Sequence, residues 1–386
     1  RVKNLRSSRI AFLEHSNRGP DRTKAGRANE SRSMVLRLLQ SLFSATPDPA
    51  GKFDPALIRA AIERVVDGTD PRLRMVRHYR TKLWTAVERS IEYVTELVDA
   101  LPPPVEIRSH SFMTDPRLRA LFTSTRHLQE ILSFGNELHH YRQRIGGLPT
   151  DLYAMLRTER IEKTVLGIAL EGNMIRRDVP QITVNFHNHH VGFPAGSETK
   201  TRREVKKRAF DYLIETALDR LVAVRTQKQQ LEQQQRQLLQ RKIKLLRGAN
   251  TALEPLLDPH TADLSTPASI DKRLREIEVE LGRIRADSAT LDDHLAKVVV
   301  TLREPEKHLR LDRVSMTLDH MNIKADKNSS RNTSMLTFDD VLLGKGRRIT
   351  AMFIRFPSDE ILPRPDFFDE ANRLLYLGGK PRLTTI

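Results

Sequence analysis

The chain has 386 residues, 39% hydrophobic and 30% charged, and its 65 Lys and Arg against 49 Asp and Glu give a formal net charge of +16. That balance excludes a chain disordered throughout, and no apolar run approaches the roughly 18 residues that cross a bilayer as a helix. Zero cysteines exclude disulfides, thiolate metal sites and cysteine nucleophiles. The first stretch, RVKNLRSSRIAFLEH, lacks the apolar core of a secretory signal, so the expected setting is cytoplasmic.

The charge is unevenly spread. Residues 1–33 carry nine basic and three acidic side chains, residues 200–250 carry fourteen and five, and the rest is nearly neutral. Positive segments of this kind attract polyanions: nucleic acid, ribosomal RNA or an anionic membrane surface. A solvated helix face that keeps an elongated protein soluble has the same composition.

Residues 1–33 lack sustained periodicity and are expected to form a basic mobile arm. A helical domain is expected over 34–147, with helices at 34–45, 55–66, 71–101, 116–123 and 125–144. Asp54-Pro55, Asp70-Pro71 and Asp115-Pro116 mark starts, because the carboxylate accepts an orphan N–H and proline has none to waste. Apolar residues from Leu73 to Leu101 recur at helical spacing, and Pro102-Pro103-Pro104 stops them. The hexapeptide TDPRLR occurs at 69–74 and 114–119, as a duplicated helical unit would give, but similarity fades quickly after it, so one capping solution used twice is expected, and the lack of a third copy argues against a solenoid.

Gly146-Gly147 and Pro149 form a boundary. A small α+β domain is expected from 148–200 and 305–386, with a short helix at 150–162. Strand candidates lie at 165–170, 181–186, 309–323, 335–343 and 349–356. Val314, Met316 and Leu318 alternate with polar residues in the period of two that marks a half-buried strand. Leu343-Gly344-Lys345-Gly346-Arg347 has the composition of a hairpin turn.

Residues 201–304 are expected to form a coiled-coil hairpin inserted between strands. In its second arm Ile270, Leu274, Ile277, Leu281, Ile284, Ser288, Leu291, Leu295, Val298 and Leu302 step by four and three. The first arm carries Val224, Leu231, Leu238 and Leu245 at steps of seven, but Lys228, Gln235 and Lys242 intrude on the alternate seam positions. Gly248 and the segment 249–265 allow a reversal. The predicted arms are about 65 and 55 Å long.

Mechanistic motifs are absent. No phosphate loop, GxGxxG, GxSxG or HExxH occurs. His187 and His189, two apart on a strand candidate, would share a face and are the weak candidates for metal ligands, although no further ligands can be named beside them. Glu137 and His140 form a single ExxH where a di-iron bundle needs two. Asp319 and His320 would point to opposite faces of a strand. No catalytic residue and no cofactor is expected.

The expected architecture is therefore α+β and mostly α: a helical N-terminal unit, a small antiparallel or mixed sheet, and a long antiparallel coiled-coil hairpin. The function it suggests is non-enzymatic, a nucleic-acid- or ribosome-associated factor that lays a basic helix on phosphate. The residues expected to do so are Arg202, Arg203, Lys206, Lys207 and Arg208, then Arg225, Lys228, Arg236, Arg241, Lys242, Lys244 and Arg247. Aromatics are scarce in this arm, which disfavours base stacking on single strands. The alternatives are a structural adaptor that uses the hairpin for protein–protein assembly and, less favoured, a histidine-metal enzyme.

Overall fold

A computed structural model describes residues 53–171, 174–248, 267–287, 290–325, 332–344 and 346–363. The expected basic arm, the helix at 34–45 and the reversing segment at 249–265 lie outside the described residues.

The Asp-Pro starts fold as their chemistry dictates. Helix α1 (Pro55–Gly68) begins where the Asp54 carboxylate accepts the Ala56 N–H at 2.8 Å. It buries Ile58, Ala61, Ile62, Val65 and Val66. The expected helix at 71–101 is two elements. Asp70 caps a 3-10 turn (Pro71–Met75), Val76 is extended, and His78 takes a left-handed φ of 57° before α2 (Tyr79–Asp99) starts. The break turns both Leu73 and Val76 into the core. The second TDPRLR copy starts a true helix. After β1 (Val105–Glu106) and a short α3 (Ser111–Thr114), Asp115 caps α4 (Pro116–Leu121). In both copies the arginine after the proline folds back, with Nη2 donating to the capping aspartate at 2.8 Å. The repeat is thus a local cap, not a duplicated unit.

The expected helix at 125–144 is likewise split, into α5 (Thr125–Ser133) and α6 (Asn136–Ile145). Phe134 and the extended Gly135 separate them. Gly146 ends α6 in the left-handed conformation, φ 75°, that glycine adopts without strain.

The helix expected at 150–162 does not form: residues 151–162 are strand. β2 (Asp151–Glu171) and β3 (Met174–Ala195) form a long antiparallel hairpin. Leu152, Ala154, Leu156 and Thr158 are all buried, which is a period of two. Met155 beside Leu156 obscured it, because Met155 faces the opposite layer and is buried there too. β4 (Leu309–Asp319), β5 (Thr333–Leu343) and β6 (Arg347–Pro357) complete a six-stranded sheet ordered β3-β2-β6-β5-β4. Its long neighbours are all antiparallel; β1 alone runs parallel, beside β6. Leu343 pairs with Arg347 across the predicted turn, where Gly344 and Gly346 have φ of 54° and 119°.

β6 is buried on both faces. Ala351 and Phe353 join a core with α1, α2 and the later helices, whereas Ile354 and Phe356 join a second core under α4–α6. The sheet is thus a middle layer. One buried ion pair crosses it: Arg160 Nη2 donates to Asp340 Oδ2 at 2.8 Å, and Thr350 Oγ1 donates to Asp340 Oδ1 at 2.7 Å.

Between β3 and β4 the chain forms α7 (Glu198–Gly248), α8 (Pro267–Asp287) and α9 (Leu291–Arg303). Helix α7 has 51 residues, about 75 Å at 1.5 Å per residue. Its first turns bury Phe210, Leu213, Ile214 and Ala217 in the first core. Further out, Leu231 packs with Ile277, Leu281 and Ile284, flanked by Val224 and Leu238. Lys242 pairs with Asp271 at 2.6 Å and Gln227 donates to Glu280 at 3.1 Å, so α7 and α8 run antiparallel. The uninterrupted second arm expected over 270–302 is two helices. Thr290 starts α9 with a capping box, in which its hydroxyl and the Asp293 carboxylate satisfy each other's backbone N–H groups. No helix among the described residues is long and apolar enough to cross a membrane.

Candidate functional site

At the base of α7 the predicted cations are engaged within the molecule. Arg202 donates through Nε to Glu198 at 2.6 Å, through Nη1 to the Val98 carbonyl at 2.8 Å, and through Nη2 to the carbonyls of Leu101 and Pro102 at 3.2 and 3.0 Å. Its guanidinium lies 4.4 Å from the centre of the Phe353 ring. Carbonyls at a helix end lack intrahelical donors, so this arginine closes the end of α2. Lys206 pairs with Asp99 at 2.8 Å, Lys207 with Glu204 at 3.6 Å and Arg208 with Glu215 at 2.6 Å. Arg203 is partly buried on the same turn.

Farther along α7 the picture changes. From residue 221 onward the helix carries a single carboxylate, Glu232. Residues 221, 224, 228, 231, 235, 238, 242 and 245 are wholly or partly buried, the three-and-four spacing expected of the α8-facing stripe. Arg225, Arg236 and Lys244 lie off that stripe and are exposed, and Arg241 is partly so. Lys242 is on the stripe and is held by Asp271. Arg247 belongs to the last turn. The same outward surface exposes Leu239, Ile243 and Leu246 at 44, 48 and 56%.

Arg225 and Lys228 also border a cavity of about 500 Å³ between α7, the 3-10 turn after α1 and the start of α9. His294 and Asp70 face it from the other side. Burial pushes the His294 imidazole below its ordinary pKa, and the Asp70 carboxylate 3.9 Å away opposes that shift. Sequence reading passed over His294 and Asp70 here. The one visible signal was Lys228 at a position where packing calls for an apolar side chain.

The histidine pair does not form as expected. Asn188 takes a left-handed φ of 53°, and the β2–β3 register shifts between Arg157 and Glu159. Alternation is therefore reset within the bulge. His187 stays exposed, whereas His189 turns toward the helices, where its Nε2 lies 2.7 Å from the Leu121 carbonyl. Its ring stacks on Phe122 at 5.0 Å and meets His127 edge-on at 5.2 Å. Burial pushes the His189 imidazole down in pKa. No group of three or more histidine or carboxylate side chains among the described residues is placed to hold a metal. Glu137 of the ExxH holds β3 instead, accepting from the Phe193 N–H at 2.7 Å and lying 2.9 Å from His190 Nε2.

No family model matches the chain, and no curated protein or solved structure shows significant similarity to it.

Proposed function

We propose that the chain is a non-enzymatic, cytoplasmic nucleic-acid- or ribosome-associated factor. In this reading α7 and α8 form an antiparallel coiled-coil hairpin whose outward surface rests on phosphate backbone. One observation carries the proposal: the distal half of α7 keeps Arg225, Arg236, Arg241 and Lys244 away from its α8-facing stripe, with Glu232 as its single carboxylate. The base cluster from Arg202 to Arg208 contributes less, because carboxylates of the same molecule meet most of it. Paired cations release few counterions on docking, and counterion release is the main source of sequence-independent affinity.

The test is fluorescence anisotropy with labelled duplex DNA and a structured RNA across a salt series. The expected result is a log-log salt slope of about −0.9 for each duplex phosphate contacted. A triple charge reversal at Arg236, Arg241 and Lys244 should flatten that slope and weaken binding more than tenfold. Equal affinity for the parent and the reversed chain overturns the proposal.

A second reading has its own support. Leu239, Ile243 and Leu246 form an exposed apolar strip on the same arm, and such strips mark protein contacts. As an adaptor, the chain would self-associate or capture a protein through this strip. Light scattering after size exclusion separates the two readings: a monomer that binds RNA and does not respond to Ile243→Glu favours the first.

A further inference from the structure

The cavity beside Arg225 and Lys228 has a composition that packing does not explain. Lys228 occupies the α8-facing stripe, where an apolar side chain would close the contact and a lysine weakens it. It faces a space of about 500 Å³, within the range of small-molecule sites. Leu221, Val224 and Ile284 supply an apolar wall. Arg225, Lys228, His294, Thr69 and the paired Asp70 and Arg72 supply the polar one.

Asp70 does not neutralise this wall. Its carboxylate already accepts the Arg72 backbone N–H at 3.1 Å and the Arg72 Nε and Nη2 groups at 3.1 and 2.8 Å. His294 Nδ1 stands 3.9 Å from it and is buried without a hydrogen bond. Among the described residues, neither Arg225 nor Lys228 has a carboxylate within 4.0 Å. Among the described residues, the cavity therefore joins two cations without a carboxylate partner and an imidazole nitrogen without a hydrogen bond to an aliphatic surface.

We propose that this cavity binds an aliphatic phosphate monoester. The ester is close to a dianion at neutral pH, which matches two cations; a carboxylate would leave one cation uncompensated. Its chain fits the Leu221, Val224 and Ile284 wall. A nucleotide fits less well, because no Phe, Tyr or Trp lines the cavity for a base to stack on. The phosphate could be that of a free metabolite or of a lipid headgroup, and the two share this chemistry.

Isothermal titration of the full chain with hexyl phosphate tests the proposal, with inorganic phosphate, hexanol, hexanoate and adenosine monophosphate as controls. Hexyl phosphate should saturate at one per chain, and every control should bind at least tenfold more weakly. Lys228→Met and Arg225→Gln should each lower hexyl phosphate affinity at least tenfold. Lys228→Met should also melt no lower than the parent, because methionine restores an apolar side chain to the stripe. Vesicles containing phosphatidic acid that retain the chain through Lys228 would place the ligand in a lipid; hexyl phosphate binding without vesicle retention would place it in solution. No saturation at millimolar hexyl phosphate, equal affinity in both variants, or equally tight hexanoate overturns the inference. Charge reversal at Arg236 and Lys244 should leave the titration unchanged while reducing nucleic-acid binding, so the two proposals fail separately.

Discussion

Arg202 discriminates sharply between a surface cation and a structural one. Its side chain is 16% exposed and spans Glu198, three carbonyls at the end of α2 and the Phe353 ring. Arg202→Met keeps the aliphatic stem over that ring and removes the fork. The Val98 carbonyl keeps the Leu101 N–H at 3.3 Å, and Pro102 is exposed and rehydrates, but Leu101 is 4% exposed, so water does not readily replace the donor lost there. Each buried acceptor left without a donor costs about 1–3 kcal/mol. The half-exposed link to Glu198 adds at most about 1 kcal/mol. The expected loss is about 3 kcal/mol, read as a lowered midpoint in urea unfolding followed by helical circular dichroism. Arg202→Lys keeps the charge but loses the planar fork, and should recover about half of that. Nucleic-acid affinity of the folded Arg202→Met chain should match the parent. A variant within about 0.5 kcal/mol of the parent that has lost phosphate binding would refute the reasoning, since such an arginine would face ligand rather than helix end.

Three further outcomes follow from the described contacts. Asp340→Ala strands the Arg160 guanidinium, only 2% exposed, and should cost about 3–5 kcal/mol in urea unfolding, while the joint Arg160→Met and Asp340→Leu change should cost far less. Thr290→Ala removes half of the capping box of α9 and should cost about 1 kcal/mol, with hydrogen exchange rising first at 291–293. His189 is held neutral by burial, its pKa below the ordinary 6.5, so the unfolded chain takes up a proton that the folded chain resists. Its contribution to stability is therefore full above about pH 6.5 and falls as the pH drops toward the folded value. Melting temperature plotted against pH should decline across that window and decline less steeply in His189→Phe, where the depressed imidazoles of His294 and His308 remain; an unchanged slope would mean that the His189 imidazole is not buried.

Much of this molecule is local and so visible in its letters. Asp54-Pro55, Asp70-Pro71 and Asp115-Pro116 cap within two residues, which needs no partner from elsewhere. The strand periods at 309–319, 333–343 and 347–357, the turn at Gly344 and Gly346, and the stripe from Val224 to Leu245 likewise depend on spacing alone. Three decisions came from outside the segment concerned. Residues 151–171 became strand because β6 offered an edge and both sheet faces were covered, so Met155 and Leu156 could each be buried. His189 left the face of His187 because a bulge at Asn188 reset the alternation, and no single-chain periodicity encodes a bulge. Net charge, finally, is a sum over residues, but a usable positive surface depends on which carboxylates arrive beside each cation. Asp99 meets Lys206 from 107 positions away, and the end of α2 claims Arg202, whereas on the outer turns of α7 Asp271 meets Lys242 but Arg225, Arg236 and Lys244 stay exposed.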